Sequence, residues 1–209
     1  MTNFIKEACV ESLEEALKAE ACGADRVELC ANSALDGITP DRNTIQQVKE
    51  QLHIPIRVMI RPRAGDFVYS EDEFLRMKKD IEFCKQVGVE GVVFGILNTD
   101  NTLDLDRIST LVALSKPLKV VIHKAIDETP DILKATEDLV KIDGISTILT
   151  SGGKTTAEEG RANLECMINI AANLLEIMPA GKITRANLDQ IHISVGANAY
   201  HGRRIVGEF

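Results

Sequence analysis

The chain has 209 residues, 44% of them hydrophobic and 27% charged, with a formal net charge of -8, which suits one globular domain with a sizeable core. That acidic balance argues against nucleic acid or an anionic membrane surface as the main partner, since either favours a basic face. No apolar run approaches the roughly 20 residues needed to span a bilayer, and residues 1–7 lack the basic flank and apolar core of a secretory leader, so a cytoplasmic location is expected.

Short apolar segments alternate with amphipathic ones along the chain. Residues 4–10 read as a strand, and Ser12 caps a helix over 13–22, with Glu15 at capping-box spacing and Gly23 as its stop. A second strand, 26–31, precedes a helix opened by Thr39-Pro40-Asp41 and running to about Leu52. The third strand is 56–61; Ser70 then caps a long helix through Val87, closed by Gly88. Strand four, 91–97, leads to a helix from Asp104 to Leu114, and strand five, 119–125, to a helix from Pro130 to Ile142. Strand six, 145–150, leads to a helix over about 156–173. Strand seven is 174–178, Thr184 caps a short helix to Gln190, and 191–194 supplies strand eight. The remaining tail is too short and too rich in glycine and arginine to predict a further helix.

Eight strands, each but the last followed by a helix, imply an α/β fold with an all-parallel sheet. Right-handed crossovers close it into a compact (β/α)8 TIM barrel, one domain over residues 1–209 with its last helix short or absent. An open doubly wound sheet is the alternative, weakened because no GxGxxG follows any strand. A barrel lacking its final helix is expected to form a homo-oligomer that covers exposed core.

Side chains alternate along a barrel strand between the helix layer and the interior. Val27 and Leu29 belong to the helix layer, which leaves Arg26, Glu28 and Cys30 inward. Val58 and Ile60 similarly leave Arg57, Met59 and Arg61 inward, with Arg63 past the proline. Val120 and Ile122 leave Val121, His123 and Ala125, and Ile191 and Ile193 leave His192 and Ser194. The first strand mixes both phases; matched to the second, it turns Glu7 and Cys9 inward. The resulting interior is charged, with Asp66 and Asp127 just past strand ends. Buried charges are costly unless paired, so structural ion pairs compete with a functional site. Their position late in the strands, where such barrels build sites, favours the site.

Arg61 and Arg63 are permanently charged forks suited to carboxylate or phosphate, and His123 is the best general acid or base. Asp127 lies about 13 Å beyond His123 on a continuous strand, so the two meet only if the chain turns near Ala125. Ser151, Gly152 and Gly153 follow strand six and could expose backbone N–H groups as an anion nest. The Gly-Lys-Thr there is no P-loop, since Ile148 stands where the leading glycine belongs. His53 and His201 read as surface residues. The five cysteines show no CxxC and no disulfide pattern, and Cys22, Cys84 and Cys166 read as small buried residues within helices. Cys9 and Cys30 fall on adjacent strands and one face, where two thiolates could share a soft cation such as Cu(I), with His192 as a possible third ligand; two core cysteines are the competing reading.

Val27-Glu28-Leu29-Cys30, Gly37-Ile38-Thr39-Pro40, Met59-Ile60-Arg61-Pro62-Arg63-Ala64-Gly65-Asp66-Phe67-Val68-Tyr69-Ser70, Val93-Phe94-Gly95-Ile96-Leu97 and Ile148-Leu149-Thr150-Ser151-Gly152-Gly153 resemble, in order, the CutC family. The resemblance implies a cytoplasmic (β/α)8 barrel assigned to copper homeostasis, binding copper with Cys30, and Cys9 beside it, as ligands. It also implies Glu28, Arg61, Arg63, Asp66, His123 and Asp127 as mouth residues. Residues 123–127 are similar to the family's histidine-to-aspartate segment, with Lys124 where arginine is usual. Residues 178–181 are poorer in glycine than in the family and 195–209 diverge, so the resemblance implies nothing for His201.

Two functional readings result. The resemblance points to Cu(I) binding for buffering or trafficking. The mouth residues alone point to an enzyme acting on a small carboxylate or phosphate. In that reading Arg61 and Arg63 clamp the substrate with the Ser151-Gly152-Gly153 loop, while His123, Glu28, Asp66 and Asp127 move protons.

Overall fold

The structure, a computed structural model, describes residues 4–208. Its elements run β1 (Ile5–Val10), α1 (Leu13–Ala21), β2 (Arg26–Leu29), α2 (Arg42–Gln51), β3 (Ile56–Met59), α3 (Glu71–Val87), β4 (Gly91–Phe94), α4 (Leu105–Ser115), β5 (Lys119–Ile122), α5 (Ile132–Val140), β6 (Ile145–Thr150), α6 (Arg161–Ala171), β7 (Glu176–Pro179), α7 (Leu188–Val195) and β8 (Ala199–Gly202). All strand pairs are parallel, in the order β7-β6-β5-β4-β3-β2-β1-β8. β7 and β8 lie side by side and bring the ends of the sheet together. This is the (β/α)8 barrel expected from the alternation, and no α-helix follows β8 among the described residues.

Two apolar layers hold it. Ala8, Val27, Leu29, Val58, Ile60 and Val92 pack outward against the helices. Cys30, Met59, Val93, Val121, Leu149 and Met178 fill the interior, the layered filling of a closed parallel barrel. The strand phases read from the sequence hold for β1, β2 and β3, and for β5 as far as Val121 and His123. Ala125 instead joins the outer layer, because a 3-10 turn over Lys124–Glu128 follows β5 and ends the alternation.

Below the interior layer lies an ion network. Glu7, fully buried, accepts from Arg26 Nε and, at 3.2 Å, from Arg57 Nη1, and lies 3.0 Å from His201 Nδ1. Arg57 Nε also reaches Glu90 at 3.0 Å, and Arg26 Nη2 reaches Glu176 at 3.5 Å. Each guanidinium therefore has two carboxylate partners, which makes its burial tolerable.

The eighth strand departs from the sequence reading. Residues 191–194 are helical, within α7, and β8 is Ala199–Gly202, inside the stretch that reads as a tail from sequence. Ile-His-Ile-Ser-Val imitates a period of two, but Leu188, Ile191 and Val195 are the buried positions, at helical spacing, and Ile193 is 85% exposed. Gly196, left-handed at φ 70°, stops the helix. The true strand is hard to read because its small residues are demanded by packing: a Cβ on Gly202 would lie 2.3 Å from the Ile183 carbonyl oxygen. His192 is consequently not an interior ligand; its Nδ1 lies 3.0 Å from the Tyr200 hydroxyl in the outer layer. Phe4, His192 and Tyr200 form a tilted and edge-to-face aromatic cluster there, with ring centroids 4.6, 5.3 and 5.6 Å apart.

Candidate functional site

The C-terminal ends of the strands open on a cavity of about 460 Å³. β1 and β2 pair with Cys9 opposite Glu28, so the repeated Glu-x-Cys pattern puts Cys9 and Cys30 on one inward face. Their Sγ atoms lie 3.5 Å apart at the cavity wall. The Cys9 and Cys30 sulfurs and a Glu28 oxygen all lie within 4.8 Å of one another. The hydrogen bond to Cys30, then burial, then the Glu28 charge push the Cys9 thiol well above its ordinary range, so Cys9 rests protonated. Gly37, at φ 79°, carries the β2–α2 loop over this pair; a Cβ there would meet Cys30 Sγ at 3.3 Å.

His201, expected at the surface, is buried beside them. Its Nδ1 faces Glu7 and its Nε2 lies 3.7 Å from Glu28. Burial opposes its charge, yet Glu28 and Glu7 raise its pKa above the ordinary histidine value. Burial also raises Glu28, against the pull of His201. Glu7, Glu28 and His201 are spaced like a metal cluster, but two arginines already neutralise Glu7 there, so an ion network describes them better than a cation site. The sequence signal missed was Tyr200-His201 alternation after a glycine-stopped helix.

His123 ends β5 on the far side of the mouth, four per cent exposed. Ala125 N donates to its Nδ1 at 3.2 Å, which leaves any proton of the neutral ring on Nε2. Burial and then the Arg61 charge bring its pKa down to about 3, so the ring is neutral throughout the physiological range. Gly95 makes room for it, since a Cβ there would lie 2.7 Å from His123 Nδ1. The Phe67 ring touches both, its centroid 4.9 Å from that of His123 and 4.7 Å from the Arg61 guanidinium.

Arg61 lines the cavity, but its fork is committed to structure. Nη1 donates to the Leu35 and Gly37 carbonyls at 3.0 and 3.1 Å, and Nη2 to the Gly65 carbonyl at 2.6 Å. It clamps the β2–α2 loop to the β3–α3 loop. Only Nε remains, one of four buried side-chain atoms without a partner among the described residues; Glu28 Oε1, His123 Nε2 and the Tyr69 hydroxyl are the others. Each such atom costs about 1–3 kcal/mol if nothing satisfies it. Three of the four belong to residues lining this cavity.

Arg63 and Asp66 do not join the mouth. Arg63 Nε donates to Glu73 at 2.6 Å and Nη2 to Asp66 at 2.8 Å, and the Asp66 side chain is 66% exposed. The cause lies in α3: its capping box holds Glu73 against the Ser70 N–H, and Glu73's second oxygen takes Arg63. β3 ends at Met59 and Pro62, with no N–H to offer a ladder, follows it, so inward alternation does not extend to Arg63. The two arginines thus form no clamp.

Asp127 is brought back by the 3-10 turn, toward strand six rather than His123. It accepts from Ser151 N at 3.0 Å, Gly153 N at 2.8 Å, Thr150 Oγ1 at 2.5 Å and Ser151 Oγ at 2.9 Å. Gly152 N donates to Thr150 Oγ1 instead. The nest expected after strand six exists, and the protein's own carboxylate occupies it. Of the helix cysteines, Cys84 is buried while Cys22 and Cys166 are exposed.

Fold and site together define a parallel (β/α)8 barrel with a polar mouth and a paired thiol on its first two strands. The chain belongs to the CutC family, whose model matches residues 4–206. It is 41% identical over 198 residues to the human "Copper homeostasis protein cutC homolog", a match covering 95% of this chain and 72% of that protein. A CutC family protein of Mesorhizobium japonicum is 40% identical, over 93% of this chain and 75% of the other. The crystal structure of CutC from Streptococcus agalactiae superposes with a TM-score of 0.91 at 33% identity, covering 97% of this chain and 99% of that one.

Proposed function

We propose that the protein binds Cu(I) through Cys9 and Cys30 and serves copper buffering or transfer in the cytoplasm. One observation carries this reading: two thiols from adjacent strands stand 3.5 Å apart at the wall of an open cavity. Soft sulfur ligands select a soft cation. A structural zinc site would ask for four ligands, and His192, the expected third donor, is in the outer layer. A reducing cytoplasm suits the reading because it keeps such a pair reduced. Both ligands must lose their protons to bind, so loading releases protons and strengthens with pH. The copper-homeostasis name of the human relative supports the choice of metal.

Anaerobic Cu(I) titration against a competing chelator tests it. One equivalent is expected for the wild type, and Cys9→Ser/Cys30→Ser loses it. Unchanged affinity in the double variant refutes the assignment.

A further inference from the structure

We infer that Met59 is a third ligand of the metal site, its thioether joining the Cys9 and Cys30 sulfurs on Cu(I). The inference rests on the Cu(I) reading above and adds a donor to it. Leu29 on β2 pairs with Val58 on β3. The next residues along, Cys30 and Met59, therefore stand side by side, and both belong to the interior layer. The loop above gathers them into one space: a Cβ on Gly37 would meet Cys30 Sγ at 3.3 Å and the Met59 methyl carbon, Cε, at 3.7 Å. Cys9 flanks Cys30 from β1, with the two Sγ atoms 3.5 Å apart, and Met59 flanks it from β3. All three residues line the cavity, and among the described residues no other sulfur-bearing side chain does.

Chemistry selects Met59 over the neighbouring oxygen and nitrogen donors, because Cu(I) prefers thiolate and thioether ligands. A Glu28 oxygen lies within 4.8 Å of both thiol sulfurs, but a carboxylate is a hard donor, and Glu28 faces His201 at 3.7 Å. His201 has its other ring nitrogen on Glu7. His123 stands across the mouth, after β5. Met178, the other methionine of the interior layer, has its sulfur 3.3 Å from Arg26 Nη2, within the ion network. Met59 is left as the soft donor beside the pair. Its side chain is unbranched, with three rotatable bonds, so the sulfur turns toward a bound ion without movement of the strand. As core filling alone, Met59 would be replaceable by leucine, a swap of similar volume; as a ligand it would not.

The test combines anaerobic Cu(I) titration against a competing chelator with NMR of protein carrying isotope-labelled methionine methyls. Wild type, Met59→Leu and Cys9→Ser/Cys30→Ser are compared. Met59→Leu should keep the melting temperature of the metal-free protein close to wild type. It should nonetheless weaken Cu(I) binding about tenfold or more, since even partners that only orient a ligand are worth about 10–100-fold in metal affinity. One equivalent of Cu(I) should move the Met59 methyl signal, identified by its absence in Met59→Leu, and leave the Met178 signal in place. Wild-type Cu(I) affinity in Met59→Leu overturns the inference. So does a Met59 methyl signal that stays put while thiolate–copper absorption shows the thiols loading, a readout on the wild type that decides even where leucine disturbs folding. Cys9→Ser/Cys30→Ser separates the two assignments. Wild-type affinity there refutes the thiol site and this ligand with it, whereas affinity lost there and retained in Met59→Leu refutes Met59 alone.

Discussion

Replacing Glu7 by glutamine removes the one negative charge shared by Arg26, Arg57 and His201 while preserving side-chain volume. Breaking a buried ion pair from one side costs about 3–5 kcal/mol, since the remaining charges stay buried without compensation. Glu90 and Glu176 still serve the two arginines, which places the expected loss near the lower bound, about 3 kcal/mol. Acid titration reaches a similar figure. Burial would raise the Glu7 pKa, but the His201 hydrogen bond and the charges of Arg26 and Arg57 outweigh it, taking the value from 4.5 to about 2. A depressed carboxylate stabilises the fold fully above its unfolded pKa and loses that contribution as pH falls through the folded one. The difference is worth about 3 kcal/mol, present above pH 4.5 and lost toward pH 2. His201 has the opposite sign: its raised pKa stabilises the fold below 6.5 and the contribution is lost as pH rises through the higher folded value. Urea unfolding of wild type and Glu7→Gln across pH checks both. A gap under about 1 kcal/mol at neutral pH, the size of an exposed pair, would refute the reasoning, as would a gap that does not narrow below pH 4.5.

Two smaller changes probe how the mouth is built. Gly95→Ala pushes a methyl against His123, whose ring would lie 2.7 Å from the new atom; a stability loss of about 1–3 kcal/mol and displaced His123 NMR signals are expected, with Cu(I) affinity unchanged because both thiols lie on β1 and β2. Unmoved His123 signals would contradict the packing account. Asp127→Asn replaces an oxygen that accepts from backbone by a donor, and should cost about 2 kcal/mol and speed amide exchange at Gly153, measured by denaturation and hydrogen exchange; exchange as slow as wild type would show that the nest does not need its carboxylate.

The barrel was legible because its evidence is periodic: apolar pairs such as Val27 with Leu29, and Val58 with Ile60, fix a strand's phase whatever the loops do. The same phase placed Glu7, Cys9, Glu28, Cys30 and Arg61 inward, where they are found. It failed where the periodic signal ended. Arg63 and Asp66 follow Pro62, beyond the ladder, and their direction is decided by Glu73, ten residues ahead of Arg63 on another element. Asp127 depends on a turn whose endpoint is the Thr150–Gly153 loop, twenty-odd residues on. No local pattern contains such partners. β8 failed for a different reason: Ala199 and Gly202 satisfy close packing rather than strand propensity, whereas the Ile-His-Ile stretch has propensity without the position. His201 was lost with that strand, and it changes the meaning of the interior. With His201 and both arginines gathered on Glu7, the lower charges are accounted for as structure. At the mouth Glu28 faces His201, Arg61 is spent on loop carbonyls and His123 is neutral. Burial alone therefore does not separate structural charge from candidate site in this barrel: Glu7 has its hydrogen bonds complete, whereas Glu28 Oε1, Arg61 Nε, His123 Nε2 and the outer-layer Tyr69 hydroxyl each lack a partner among the described residues.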